Sequence, residues 1–249
     1  MAYPGGKNGA GVYQTIINLM PPHQVYIEPF LGGGAIMRLK RPASLNIGID
    51  RDAAAVKKIS AELATRGDSG SKFRILTGNG IGFLERHEFT GQELVYCDPP
   101  YLKSTRTSGD LYRFEMTDTQ HARLLDVLKA LPCAVMISGY YSDAYSQALA
   151  NWNFHTFTGQ TRGGPRTEWV WYNFEPAALH DYRYLGTNFR ERERIKRKKS
   201  RWLSRLNSMN QFERQALLCA IGEAWNLDIP SPPAASVDVV GPIVNPSES

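Results

Sequence analysis

Leu94-Val95-Tyr96-Cys97-Asp98-Pro99-Pro100-Tyr101 reads as a short apolar strand that runs straight into a stiff turn. Two consecutive prolines donate no backbone hydrogen bond and hold φ near −65°, so strand pairing stops there. A run that is apolar at every position, not at alternate ones, is one buried on both faces, as in a parallel sheet covered by helices. The turn that follows presents a carboxylate, a prolyl carbonyl and an aromatic ring in fixed relation. It lies at the carboxyl end of its strand, where open α/β sheets bind ligands. The plain alternative is a Pro-Pro turn with Asp98 capping a helix.

Working outward, the pattern repeats. Strands are expected at Val25–Glu28, Leu45–Asp50, Phe73–Thr77, Leu94–Asp98, Cys133–Ser138, Phe154–Phe157 and Trp169–Phe174. Helices are expected between them at Ala35–Leu39, Ala53–Ala64, Thr117–Leu131 and Ser142–Leu149. This alternation predicts an α/β fold with a mostly parallel sheet covered on both faces. The segment 158–166, TGQTRGGPR, is of hairpin length and too short for a crossover helix, so the sheet should end in an antiparallel pair. Such a sheet is the architecture of the Rossmann-like S-adenosylmethionine-dependent methyltransferases, by analogy of fold alone.

Asp98 and Tyr101 suit one task well, the grip of a planar group that carries an exocyclic NH2. The Asp98 carboxylate and the Pro99 carbonyl each accept one N–H, and Tyr101 stacks on the ring. The amine lone pair, freed from the ring, is then able to attack a methyl sulfonium in line. A second turn, Glu28-Pro29-Phe30-Leu31-Gly32-Gly33-Gly34, follows the first strand, and glycines there allow a ligand close to the backbone. Asp50 ends the next strand 18 positions after Gly32, near the spacing of a ribose-binding carboxylate, though it also suits a helix cap. Tyr3-Pro4-Gly5-Gly6-Lys7 could close over a small ligand or form a flexible start.

Composition bounds the rest. With 249 residues, 42% of them hydrophobic and 21% charged, the chain has enough apolar material for a real core. No apolar run approaches the ~20 residues of a membrane span, and the first residues lack the apolar core of a signal peptide. Cys97, Cys133 and Cys219 are three in number and widely spaced, and are expected to be reduced, buried thiols of a cytoplasmic protein. The five histidines show no metal spacing, so no metal is expected. The net charge is +5, yet the window Arg190–Arg205 alone carries +7, which leaves −2 for the remainder. A nearly neutral body with a basic stripe points to a polyanion, unless the stripe is simply a solvated helix face. The expected domains are 1–178 as the catalytic fold, 179–225 as a basic helical extension and 226–249, with five prolines and no aromatic residue, as a disordered tail.

YPGGK, EPFLGGGA, IDRD and DPPY, in that order over about residues 1–175, resemble the D12 class (alpha group) of N6-adenine-specific DNA methyltransferases of bacteria and phages. The resemblance implies S-adenosylmethionine as cofactor, held by Tyr3, Gly6, Lys7, Glu28, Pro29, Phe30, Gly32 and Gly34, with Asp50 on the ribose. It implies Asp98, Pro99, Pro100 and Tyr101 as the catalytic turn that binds a flipped adenine, with Asp98 also beside the cofactor and Lys7 near the substrate. The stretch 167–173 resembles the late strand that closes over the target base. Two departures stand out. Asn79 replaces the usual aspartate beside the cofactor adenine, where its amide oxygen still accepts an N–H. Only residues 80–97 separate that turn from Asp98, which leaves no space for the usual target-recognition domain. Substrate contact then falls to Lys103, Arg106, Arg162, Arg166 and the basic stretch with Arg194, Arg197, Lys198, Lys199 and Arg201.

The expected activity is methyl transfer to adenine N6 in DNA. The alternatives are adenine in RNA, the N4 of cytosine, or a nucleic-acid-binding protein with an inactive methyltransferase fold. The absence of a Pro-Cys nucleophile argues against the covalent cytosine-C5 route.

Overall fold

The computed structural model describes residues 6–65, 70–106, 113–161, 164–175 and 178–227, with the side chains of residues 160 and 161 excepted. The expected positions Tyr3 and Arg162 and nearly all of the expected tail lie outside them.

Seven strands form one sheet: β1 Val25–Glu28, β2 Leu45–Asp50, β3 Lys72–Thr77, β4 Glu93–Cys97, β5 Ala134–Gly139, β6 Asn153–Thr161 and β7 Gly164–Tyr172. Their spatial order is β3-β2-β1-β4-β5-β7-β6, with β7 antiparallel to both of its neighbours and all other pairings parallel. The chain moves outward from β1 to β3 and then returns to the other side of β1 with β4. The switch point therefore falls between β1 and β4, and a crevice opens at their carboxyl ends.

Helices fill both faces: α1 Val12–Leu19, α2 Ala35–Leu39, α3 Ala53–Ala64, α4 Gly80–Leu84, α5 Asp118–Ala130 and α6 Asp143–Ala148. Alternate strand residues feed two separate cores. Ile27, Ile47, Val95, Ile137 and Trp171 pack with Leu124, Leu125 and Leu128 of α5. Tyr26, Leu94, Tyr96, Met136 and Val170 pack with Ile16 and Ile17 of α1 and Ile59 of α3. Helix ends carry local reasons. Thr117 and Gln120 form a reciprocal capping box on α5, Asp52 caps α3, and Ser142 caps α6. Pro21 stops α1 and Pro132 stops the chain after α5.

The expected loop 158–166 is mostly strand. β6 and β7 pair without interruption out to Thr161 and Gly164, leaving a two-residue connection. Cysteine burial also differs from expectation: Cys97 is buried, Cys133 half-buried and Cys219 exposed. Cys133, just before β5, packs partly against the core, while Cys219 lies on the last helix. α1 had no counterpart in the sequence reading, although Val12, Ile16 and Ile17 share one of its faces.

Two compact units divide at Glu193 and Arg194. Residues 178–188 are irregular rather than helical and belong to the first unit. His180 N–H donates to the Met20 carbonyl, Asp181 accepts from Arg41 N–H, and the Tyr184 hydroxyl donates to the Leu39 carbonyl. These bonds tie the segment to the ends of α1 and α2, which is why the first unit reaches beyond residue 178. α7 Phe189–Ser208 begins in this unit and continues into the second, followed by α8 Gln211–Trp225. On these helices Arg194, Arg197, Lys198, Lys199 and Arg201 are exposed, and so are Trp202, Leu203 and Phe212, the last by 85%. Among the described residues no helix is long and apolar enough to cross a membrane.

Candidate active site

The crevice at the switch point is a cavity of about 840 Å³, counting its open mouth. Its walls come from the turns after four strands: Glu28 to Ile36 after β1, Asp50 and Arg51 after β2, Gly78 to Ile81 after β3, and Asp98 with Pro100 after β4. Gly6, Lys7, Phe114, Met116 and Gln120 complete it.

On the β1–β2 side, Gly32 and Gly34 take positive φ (49° and 60°), a conformation that a side chain strains. Gly32 N–H donates to Asp50 Oδ2 at 2.6 Å, while Asp50 Oδ1 accepts from Asp52 N–H at 2.8 Å. Asp50 is thus not the helix cap, a role that Asp52 fills. It clamps the glycine turn and keeps further lone pairs toward the cavity. Asn79 caps α4, its Oδ1 accepting from Ile81 N–H at 3.1 Å. The amide oxygen expected to meet an adenine amine is therefore already engaged once, with one lone pair left. Glu28, at the end of β1, is buried and accepts from the Tyr26 hydroxyl at 3.0 Å. Burial pushes its carboxyl up to about 8, against the opposing effect of that hydrogen bond.

On the β4 side the structure gathers a polar cluster. Asp98 Oδ1 accepts from Ser138 Oγ at 2.9 Å and lies 3.0 Å from the Lys7 ammonium. Ser138 in turn bonds the Tyr96 hydroxyl. Lys7 is only 4% exposed and also meets Glu168 Oε2 at 3.2 Å. It donates to the Tyr101 hydroxyl, which itself donates to Glu168 Oε2 at 3.1 Å. Burial works to lower the pKa of the Lys7 ammonium, but Asp98 and Glu168 together outweigh it and the net displacement is upward. For Asp98, burial and the Glu168 charge prevail over Lys7, and its carboxyl is raised.

Glu168, Ser138 and Tyr96 were not singled out in the sequence. Glu168 did carry a signal: on β7 it shares a face with Val170 and Tyr172, so it had to point inward and find a cation. Three expected substrate contacts are placed differently from the expectation. Arg106 is committed to Glu115 in a two-pronged ion pair of 2.6 and 3.0 Å, which pins its loop. Arg166 donates to the Thr105 carbonyl and covers the Tyr140 ring. Tyr101 is buried edge-on against Tyr140, held there by its bonds to Lys7 and Glu168. Lys103 is exposed, and Arg194, Arg197, Lys198, Lys199 and Arg201 belong to the second unit.

The lining fits S-adenosylmethionine. Phe30, Leu31, Ile81, Phe114 and Met116 give apolar walls for a base, Asp50 a carboxylate for a diol, Glu28 a polar group, and Asp98 an acidic group for a cation. No curated protein matches the chain. Several solved structures resemble it. An rRNA methylase from Streptococcus thermophilus is 13% identical (TM-score 0.43, 68% of this chain and 97% of that one). TrmK of M. capricolum, solved with S-adenosylhomocysteine, is 12% identical (TM-score 0.44, 86% and 95%). The protein yhhF of Escherichia coli, described as a methyltransferase, is 18% identical (TM-score 0.41, 60% and 75%). The model of the D12 class N6 adenine-specific DNA methyltransferase family matches residues 70–158, from just before β3 into β6 and across the Asp98–Tyr101 turn. The sheet has a Rossmann-like order, and residues 70–158 of the chain are similar to the D12 class N6 adenine-specific DNA methyltransferases.

Proposed function

We propose that the chain methylates the N6 amine of adenine in DNA, with Asp98 as the acceptor of the amine N–H. The observation that carries this reading is the position of Asp98. Its carboxylate follows β4, borders the cavity, and already holds an amine-type donor, Lys7 Nζ, at 3.0 Å. S-adenosylmethionine supplies an electrophilic methyl group. Asp98 and the Pro99 carbonyl would draw the two amine hydrogens toward themselves and leave the nitrogen lone pair free for the methyl group that the cofactor would supply when bound. The amine then carries positive charge, and the surrounding carboxylates favour it until a proton leaves. The glycine turn, Asp50 and Asn79 hold the cofactor, and Tyr101 packs on the target base once it turns from Tyr140.

A second acceptor, adenine in RNA, is favoured by one observation. Residues 80–97 are spent on α4, a short connection and β4, so no recognition domain stands between Asn79 and Asp98.

The experiment is methylation of DNA and RNA in parallel, digestion to nucleosides and mass spectrometry. N6-methyl-2′-deoxyadenosine from DNA supports the reading, N6-methyladenosine from RNA alone moves it to the second acceptor, and an N4-methylated cytidine or deoxycytidine alone overturns both. Asp98→Ala should lower turnover at least about 100-fold while cofactor affinity stays within a few-fold.

A further inference from the structure

Lys7 poses a problem for the proposed chemistry. Its ammonium occupies the side of Asp98 at the distance that a target amine would take. An amine arriving at Asp98 must displace it, and a buried ammonium that loses its only anionic partner is costly. Lys7 has a second anion at hand. Glu168 Oε2 lies 3.2 Å from the same nitrogen, and the Tyr101 hydroxyl bridges the two. Lys7 and Glu168 are buried and Asp98 is half-buried at the cavity wall, so each pairing is stronger than it would be at the surface.

We propose that Glu168 is a positioning residue for the acceptor step: it keeps Lys7 charge-paired when the target amine takes the place of the ammonium at Asp98. The inference rests on the methyltransferase reading above. The geometry gives it three supports. Glu168 touches Lys7 and Tyr101, the two side chains that must move or rotate for a base to dock. Its place in β7 is fixed, because Glu168 lies opposite Phe157 of β6 and the next residue, Trp169, lies opposite Gly139 of β5. Glu168 also brings the three formal charges of Lys7, Asp98 and Glu168 to −1. That sign favours a nitrogen that gains positive charge during the acceptor step, whereas Lys7 with Asp98 alone would be neutral.

The test is a double-mutant cycle in full-length protein. Glu168→Gln keeps the shape and an acceptor for the Tyr101 hydroxyl but removes the charge. It should lower kcat/KM for the nucleic acid at least ~10-fold, leave the S-adenosylmethionine dissociation constant within ~2-fold, and recover in part as Glu168→Asp. Introduced into a Lys7→Met background, and read in single-turnover assays with enzyme in excess, the same change should cost less than ~2-fold, because no ammonium is left to balance. A loss of equal size in both backgrounds would mean a purely structural role and overturn the proposal, as would full activity in Glu168→Gln. A wild-type protein that methylates neither DNA nor RNA would bring down the methyltransferase reading and this inference with it. A wild-type protein that methylates, beside an unimpaired Glu168→Gln, would bring down the inference alone.

Discussion

Single residues in this site do two jobs, and Asp50 is the clearest case. It closes the glycine turn through Gly32 N–H while facing the cavity. Asp50→Ala should therefore weaken S-adenosylmethionine binding at least ~10-fold in calorimetry, since it removes both a ligand contact and the clamp on the turn. Glu28 sets up a pH dependence. Its carboxyl is raised by burial to about 8, so the folded protein keeps a proton that the unfolded chain loses near 4.5. The unfolded state thus binds fewer protons between those values, and this group makes stability fall as pH rises from about 4.5 to about 8. Glu28→Gln should match the wild type near pH 5 and exceed it in thermal midpoint near pH 8. Equal midpoints at both pH values would remove Glu28 as the source. The sequence disclosed Asp50, Asp98 and the glycines because spacing along the chain places them. It did not disclose the Lys7–Glu168 pair, whose members are 161 positions apart and meet only through the sheet.

At the scale of elements, boundaries were legible where local chemistry sets them. β1, β2, α2 and α3 run between the residues that periodicity indicates, because glycine, Asp52 and apolar runs mark their ends. The hairpin was not legible, since Gly159, Gly163, Gly164 and Pro165 resemble loop residues yet pairing carries β6 and β7 through to the connection. Tertiary pairing there overrides local preference. Gly80 shows a similar dependence on neighbours. A Cβ at that position would lie 2.0 Å from the Pro29 carbonyl oxygen, so the start of α4 sits against the β1–α2 turn only because no side chain intervenes. Gly80→Ala should force the two walls of the cavity apart. The expected cost is roughly 2 kcal/mol, seen as a fall of about 4–8 °C in thermal midpoint, together with weaker cofactor binding. A variant with unchanged midpoint and affinity would show that the backbone yields there at no cost.

Across the whole molecule, charge is separated from chemistry. The proposed catalytic groups lie in the first unit, and most of the +7 window lies in the second, on exposed positions of α7. If about four of these cations neutralise phosphates, log K should fall against log salt with a slope of about −3 to −4. Charge reversal at Arg197, Lys198 and Lys199 should flatten that slope without moving the thermal midpoint, as exposed substitutions cost little stability. A slope that survives reversal would return nucleic-acid contact to the first unit.

The position of β7 has a further consequence, for the order in which the protein is made. The glycine turn and Asp50 are complete within the first fifty residues and need only β1 and β2. The acceptor cluster needs Lys7 from the beginning of the chain and Glu168 from a strand that must insert between β5 and β6. During synthesis the Gly32–Asp50 clamp has thus left the ribosome long before Glu168, the group that completes the acceptor side. Until the β6–β7 hairpin pairs with β5, the acceptor cluster lacks Glu168, and the strand that joins the hairpin to the sheet is the one that carries it to Lys7.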